Sequence, residues 1–205
     1  MIGMLLAGAV AFQIGGVPLT MPAPSGQCVP ADKDVAMAQT LAAADNLNVT
    51  LATFFACDRS TSGNLSDYVL IKSPRAAAAI VSARPDFLRQ MAATMKLNEV
   101  KELFDPERLK QKVERRYDEV LPQAKLKMSG TIAPYGRDDV CAYLQGAPSY
   151  TTTFGQTQVG VGICLTTVAG KVISINRYGS DHSITGLAAL RASARAIALS
   201  IQPAS

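Results

Sequence analysis

The chain has 205 residues, 48% of them hydrophobic and 18% charged, with a net charge of +4, 6% aromatics and no Trp. That hydrophobic fraction excludes wholesale disorder, and 15 Gly and 11 Pro without a period exclude a collagen-like chain. No heptad run is sustained, so a coiled coil is excluded too, and a single domain with an ordinary core is expected.

The charges are unevenly placed. The first is Asp32, and ahead of it run Met1-Ile-Gly-Met-Leu-Leu-Ala-Gly-Ala-Val-Ala-Phe12 and, further on, Thr20-Met-Pro-Ala-Pro-Ser-Gly-Gln27. An apolar run followed by Pro, Ala, Ser and Gly has the form of a secretory signal peptide. Residues 1–23 are therefore expected to be a leader and 24–205 a single domain. Ala9-Val10-Ala11 and Met21-Pro22-Ala23 are both acceptable cleavage sequences. The competing readings are an uncleaved membrane anchor and a core segment. The apolar run is shorter than the ~20 residues of a spanning helix. Glycines at 3, 8, 15 and 16 disfavour a buried helix.

The four cysteines, Cys28, Cys57, Cys141 and Cys164, suit an oxidising compartment. They allow three pairings. Sequence order and strand geometry favour Cys28–Cys57 and Cys141–Cys164, the second joining neighbouring strands. Four buried thiols in a cytosolic protein are the alternative. One His, and no C-x-x-C, leave a zinc site without support.

A helix is expected from Asp32 to about Ala44, then a strand over 47–57 with alternating apolar residues. The turn 58–64 leads to a second strand at Tyr68–Ile71. Ser73-Pro74 reads as N-cap and first residue of a helix over 76–80, ended by Pro85. Further helices are expected over 87–95, 98–104 and 105–121. The last has an apolar face of Leu109, Val113, Tyr117, Val120 and Leu121. Strands then follow at 125–132, 140–144, 158–168 and 171–178. Ala169-Gly170 makes the last tight turn. The closing helix runs over 183–201, with Ser180 or Asp181 as its cap and a stripe of Leu187, Leu190, Ala194, Ile197 and Ile201. Strands that pair as hairpins argue α+β, with a mainly antiparallel sheet of about five or six strands and a helical insertion over 73–121.

Chemistry-bearing motifs are few. Asp181-His182-Ser183 holds triad residue types, but consecutive residues do not converge. Gly160-Val-Gly-Ile-Cys-Leu165 begins like a dinucleotide fingerprint, yet lies inside a strand, where glycines mark a bulge or close packing. Residues 72–128 carry 13 basic against 8 acidic residues, whereas residues 1–71 carry 2 against 5. The acidic residues interleave and stacking aromatics are lacking, which argues against nucleic acid. Asn48-Val-Thr50 and Asn64-Leu-Ser66 are glycosylation sequons only in a eukaryotic source.

The order of elements resembles the PsbP-like α/β/α sandwich family. The likeness runs over 47–201, and most of all over 158–201, with Lys171-Val-Ile-Ser-Ile-Asn-Arg-Tyr178 and an Ala-rich helix after it. The resemblance implies a non-enzymatic accessory or binding protein and carries over no functional residue. The large helical insertion and the four cysteines depart from that family's pattern. The expectation is thus an exported, periplasmic or secreted, disulfide-containing binding or accessory protein that needs no cofactor or metal. Its partner would be another envelope protein met at the sheet face or edge. Membrane contact is expected only if the N-terminal segment stays uncleaved. The alternative is a small hydrolase-type enzyme using Arg177, Tyr178 and His182 at the end of the last strand.

Overall fold

The computed structural model describes residues 9–58, 67–95, 106–120, 123, 125–153 and 155–204. Among these, thirteen strands and four helices form. The strands are β1 (Ala9–Ile14), β2 (Val17–Pro22), β3 (Gln27–Cys28), β4 (Asn48–Ala56), β5 (Tyr68–Pro74), β6 (Lys127–Ser129), β7 (Ile132–Arg137), β8 (Ala142–Gly146), β9 (Ser149–Thr152), β10 (Gly155–Gln158), β11 (Gly160–Val168), β12 (Lys171–Gly179) and β13 (Gln202–Pro203). The helices are α1 (Lys33–Ala43), α2 (Arg84–Thr94), α3 (Pro106–Val120) and α4 (Ile184–Ser200).

The fold is α+β. The main sheet is antiparallel throughout, seven strands in the order β3-β4-β5-β12-β11-β8-β7. At its centre lie the nine-residue strands β11, almost wholly β-branched or small, and β12, which carries Val172, Ile173 and Ile175. The turn between them puts Ala169 and Gly170 at φ 49° and 76°, the primed geometry that matches strand twist. Two three-stranded sheets, β1-β2-β13 and β10-β9-β6, complete the strand set.

Helix α4 lies on one face of the main sheet. Its stripe of Leu190, Ala194, Ile197 and Ala198 is buried. Gly160, Gly162 and Gly179 supply the flat seat beneath it. A methyl group on Gly162 would lie 2.8 Å from the Arg191 backbone nitrogen, so only glycine admits the helix this close. Ser183 caps α4, its hydroxyl accepting from Gly186 N at 3.0 Å, while Asp181 accepts from Ser183 N. The cap therefore lies two or three residues later than expected from the sequence.

The same face is shared by β1 and β2. Ile14, Leu19 and Met21 are buried in one cluster with Phe54, Ile71, Ile175 and Ile197. Residues 9–22, read from sequence as part of a leader outside the domain, thus pack into the core. Gly15 and Gly16, at φ 51° and 84°, are the turn of that hairpin. Glycines that disfavour a helix are what a two-residue turn needs.

On the other face, Phe87 and Leu88 of α2 pack on Ala142 and Val172. With helices on both faces the arrangement is α/β/α. Several boundaries differ from the sequence reading. Ser73 and Pro74 end β5, because buried Ser73 donates its hydroxyl to Val172 O; only a single 3-10 turn, Arg75–Ala77, follows. Pro85 opens α2 instead of ending a helix before it, a position where its missing N–H costs nothing. In β4 the register shifts between Thr50 and Ala52, so the alternation expected over 47–57 breaks at Leu51. The edge strand β7 escaped the pattern because Pro134 and Gly136 bracket a bulge. The main sheet accordingly has seven strands, not five or six. The turn after Asp58 and the helix over 98–104 lie outside the described residues.

Candidate functional site

The face of the main sheet opposite α4 is only partly covered by α2. Beyond α2 it is roofed by α1, α3 and the β6-β9-β10 sheet, and these border a half-open cavity of about 1240 Å³. That is at or above the upper end of ordinary small-molecule pockets. Alternation along three strands builds the floor. Tyr68, Leu70 and Lys72 of β5, Ser174, Asn176 and Tyr178 of β12, and Ile163 of β11 all project to this side.

Tyr68 and Tyr178 are directly opposed across the β5–β12 pair, and their rings stack at 4.1 Å between centroids with 10° between planes. Phe55 tilts against Tyr68 at 6.3 Å. Tyr150 of β9 and Tyr117 of α3 line the cavity from above. Burial, then proximity of the other phenols, holds Tyr68 and Tyr150 well above the usual tyrosine range; burial, then the nearby Asp45 carboxylate and Tyr117, does so for Tyr178. Tyr117 is raised by burial, offset in part by Lys72. All four therefore stay neutral and act as hydrogen-bonding phenols. Among the described residues none of their hydroxyls is hydrogen-bonded. They open onto the cavity, where water or a ligand can meet them.

One end of the cavity is charged. Lys72 Nζ lies 2.7 Å from Asp45 Oδ2, and Asp45 also accepts from the Asn48 side chain. Burial pushes the Asp45 carboxyl up, but the charge and hydrogen bonds of Lys72, with those of Asn48, outweigh it and hold it below the usual carboxylate range. Arg116 of α3 reaches the same end. Its Nη1 contacts Glu119 at 2.5 Å and its Nη2 donates to Ala43 O at 3.1 Å. Deeper on the floor, Asn176 Nδ2 donates to Leu70 O and to Ser174 Oγ, both at 3.1 Å.

Arg177, Tyr178 and His182 occupy three separate settings. Adjacent strand residues point to opposite faces, so Tyr178 faces the cavity and Arg177 faces away from it. Arg177 pairs with Asp67 at 2.5 Å, which also accepts from Gln27. His182 is exposed, its Nδ1 at 3.1 Å from Ser180 O. The three side chains are not brought to one point. The cysteines form Cys28–Cys57 and Cys141–Cys164, with Cα separations of 5.0 and 5.1 Å, each between neighbouring strands or their ends. Among the described residues no three His, Cys, Asp or Glu side chains stand close enough to hold a metal. No described helix is long and apolar enough to cross a membrane.

Tyr68, Tyr117, Tyr150, Lys72 and Asp45 were not legible as a site. The usable signal was the alternation of Ser174, Asn176 and Tyr178 with Ile173 and Ile175. A central strand with one polar face has something other than packed core against that face.

No family model matches the chain, and no curated protein does. A solution structure of cyanobacterial PsbP (CyanoP) from Synechocystis sp. PCC 6803 is similar over 99% of this chain and 95% of that one, at 9% identity and a TM-score of 0.41. The function has to be read from the cavity.

Proposed function

We propose that this chain is an exported, non-enzymatic binding protein that holds an apolar small molecule against the sheet face. The observation that carries the reading is the cavity of about 1240 Å³ floored by the stacked Tyr68 and Tyr178. Its apolar walls and scattered neutral donors fit ligand capture. Among its described lining residues there is no Cys or His to serve as nucleophile or general base. The export part of the reading is supported by the two disulfides, since such bonds persist in oxidising compartments.

The test is a titration of the oxidised protein with N-phenylnaphthylamine, a neutral apolar dye. With no Trp in the chain, intrinsic emission comes from six tyrosines, four of which line the cavity. The reading expects saturable dye binding with quenched tyrosine emission. Dye fluorescence that rises without saturation, and unaltered tyrosine emission, count against it.

A further inference from the structure

The cavity is polar at one end and apolar at the other. Its charged lining residues are Lys72, Arg115, Arg116, Asp45 and Glu119, all from the α1–β5–α3 side, leaving an excess of one positive charge there. From residue 126 onward the lining carries no charge, and its far end is built from Ile132, Leu144, Val159 and Ile163. From β5 across β12, β11 and β8 to β7 there are four strand steps, about 19 Å at the ~4.8 Å strand spacing. Between the two ends lie the uncharged polar groups of Ser174, Asn176 and the tyrosines. The charged end also holds an unfilled donor: Arg116 Nε is buried and has no hydrogen-bond partner among the described residues. A guanidinium carries five N–H groups, so with one on Nη1 given to Glu119 and one on Nη2 given to Ala43 O, one on each terminal nitrogen and the Nε–H remain. Buried donors are rarely left empty.

We infer that the ligand is an anionic amphiphile, its long alkyl chain lying over β11, β8 and β7 and its carboxylate or phosphate meeting Arg116 beside Lys72. The inference rests on the proposed binding role and specifies the class of ligand. An anionic oxygen can accept from the N–H groups left on the Arg116 terminal nitrogens and matches the excess positive charge. A chain of alkyl carbons displaces water from the end that offers no polar partner.

Three probes of equal chain length separate the contributions: dodecanoate, dodecyl phosphate and dodecanol, each titrated by calorimetry and by tyrosine emission below its micelle threshold. The anionic probes are expected to bind roughly ten-fold or more tightly than dodecanol, the size of a charge-assisted hydrogen bond. Whichever anion binds more tightly identifies the head group. Arg116→Gln is expected to remove most of that preference, read as the ratio of anion to dodecanol affinity in the same variant. Equal binding of dodecanol overturns the anionic head and leaves the binding role standing. Failure of all three probes in a protein that binds N-phenylnaphthylamine overturns the amphiphile alone. Failure of the dye as well overturns the binding role. An anion preference that survives Arg116→Gln overturns the assigned head position.

Discussion

Tyr178 and Tyr68 face each other across adjacent central strands, their rings stacked at 4.1 Å on the floor of the cavity. Stacking of this kind is worth about 1 kcal/mol beyond the area it buries. Tyr178→Leu keeps apolar bulk and loses the stack and the hydroxyl. It should lower the melting temperature by a few degrees, at roughly 2–4 °C per kcal/mol for a chain this size. It should also weaken N-phenylnaphthylamine binding. Calorimetric melting and dye titration check both; a variant with unaltered affinity removes Tyr178 from the site.

The hairpin β1–β2 carries part of the core. Leu19 is fully buried, and Leu19→Ala is expected to cost about 2–5 kcal/mol, as buried leucines do. Urea unfolding measures it. A cost below about 0.5 kcal/mol would show that the N-terminal strands sit outside the cooperative unit.

Gly162 seats α4, and a Cβ there meets the Leu190 and Arg191 backbone at 2.8 Å. Gly162→Ala should destabilise by about 1–3 kcal/mol through overpacking. Because α4 and the cavity are on opposite faces, dye affinity should change little. Loss of affinity with stability retained contradicts the separation of the two faces.

The two disulfides differ in setting. Cys141 and Cys164 are fully buried, whereas Cys28 and Cys57 are exposed. Mild reductant with trapping of new thiols should therefore label Cys28 and Cys57 first, read by peptide mass. Replacing Cys141 and Cys164 with alanine should cost about 3 kcal/mol from the released loop. Simultaneous labelling of all four contradicts the burial argument.

Much of this was open to sequence reading, and what was not has physical causes. Helix α4 was legible because its stripe repeats at 3-4 spacing and its stability is amphipathic packing. β11 and β12 were legible from a β-branched run around a primed turn. Residues 9–22 read as part of a leader because an uncharged apolar stretch suits secretion, and the same stretch suits a core hairpin. Ser73-Pro74 resembled a helix start because capping chemistry is local, while its real partner, Val172, is distant in sequence. The cavity was hidden for the same reason. Tyr68, Tyr117, Tyr150 and Tyr178 come from four elements that only the topology brings together.

Asp45 gives the stability a pH dependence. Its carboxyl titrates lower in the folded than in the unfolded chain, so the Lys72 pair stabilises fully above the usual carboxylate range. That contribution is lost as pH falls through the folded value. Asp45→Asn should therefore destabilise at neutral pH, and its difference from wild type should shrink on acidification. Urea midpoints across the acid range test it; a difference independent of pH contradicts the ion-pair account.

The central claim is that a ligand occupies the tyrosine-floored cavity, and tyrosine NMR tests it most directly. With ring-labelled tyrosine, six resonance sets report on the chain. On titration with N-phenylnaphthylamine, Tyr68, Tyr117, Tyr150 and Tyr178 should shift together and saturate. Tyr143, hydrogen-bonded to Asp138, and Tyr135, under the Arg191 guanidinium, lie outside the cavity and should stay in place. Shifts confined to Tyr135 and Tyr143, or none at saturating dye, would contradict it.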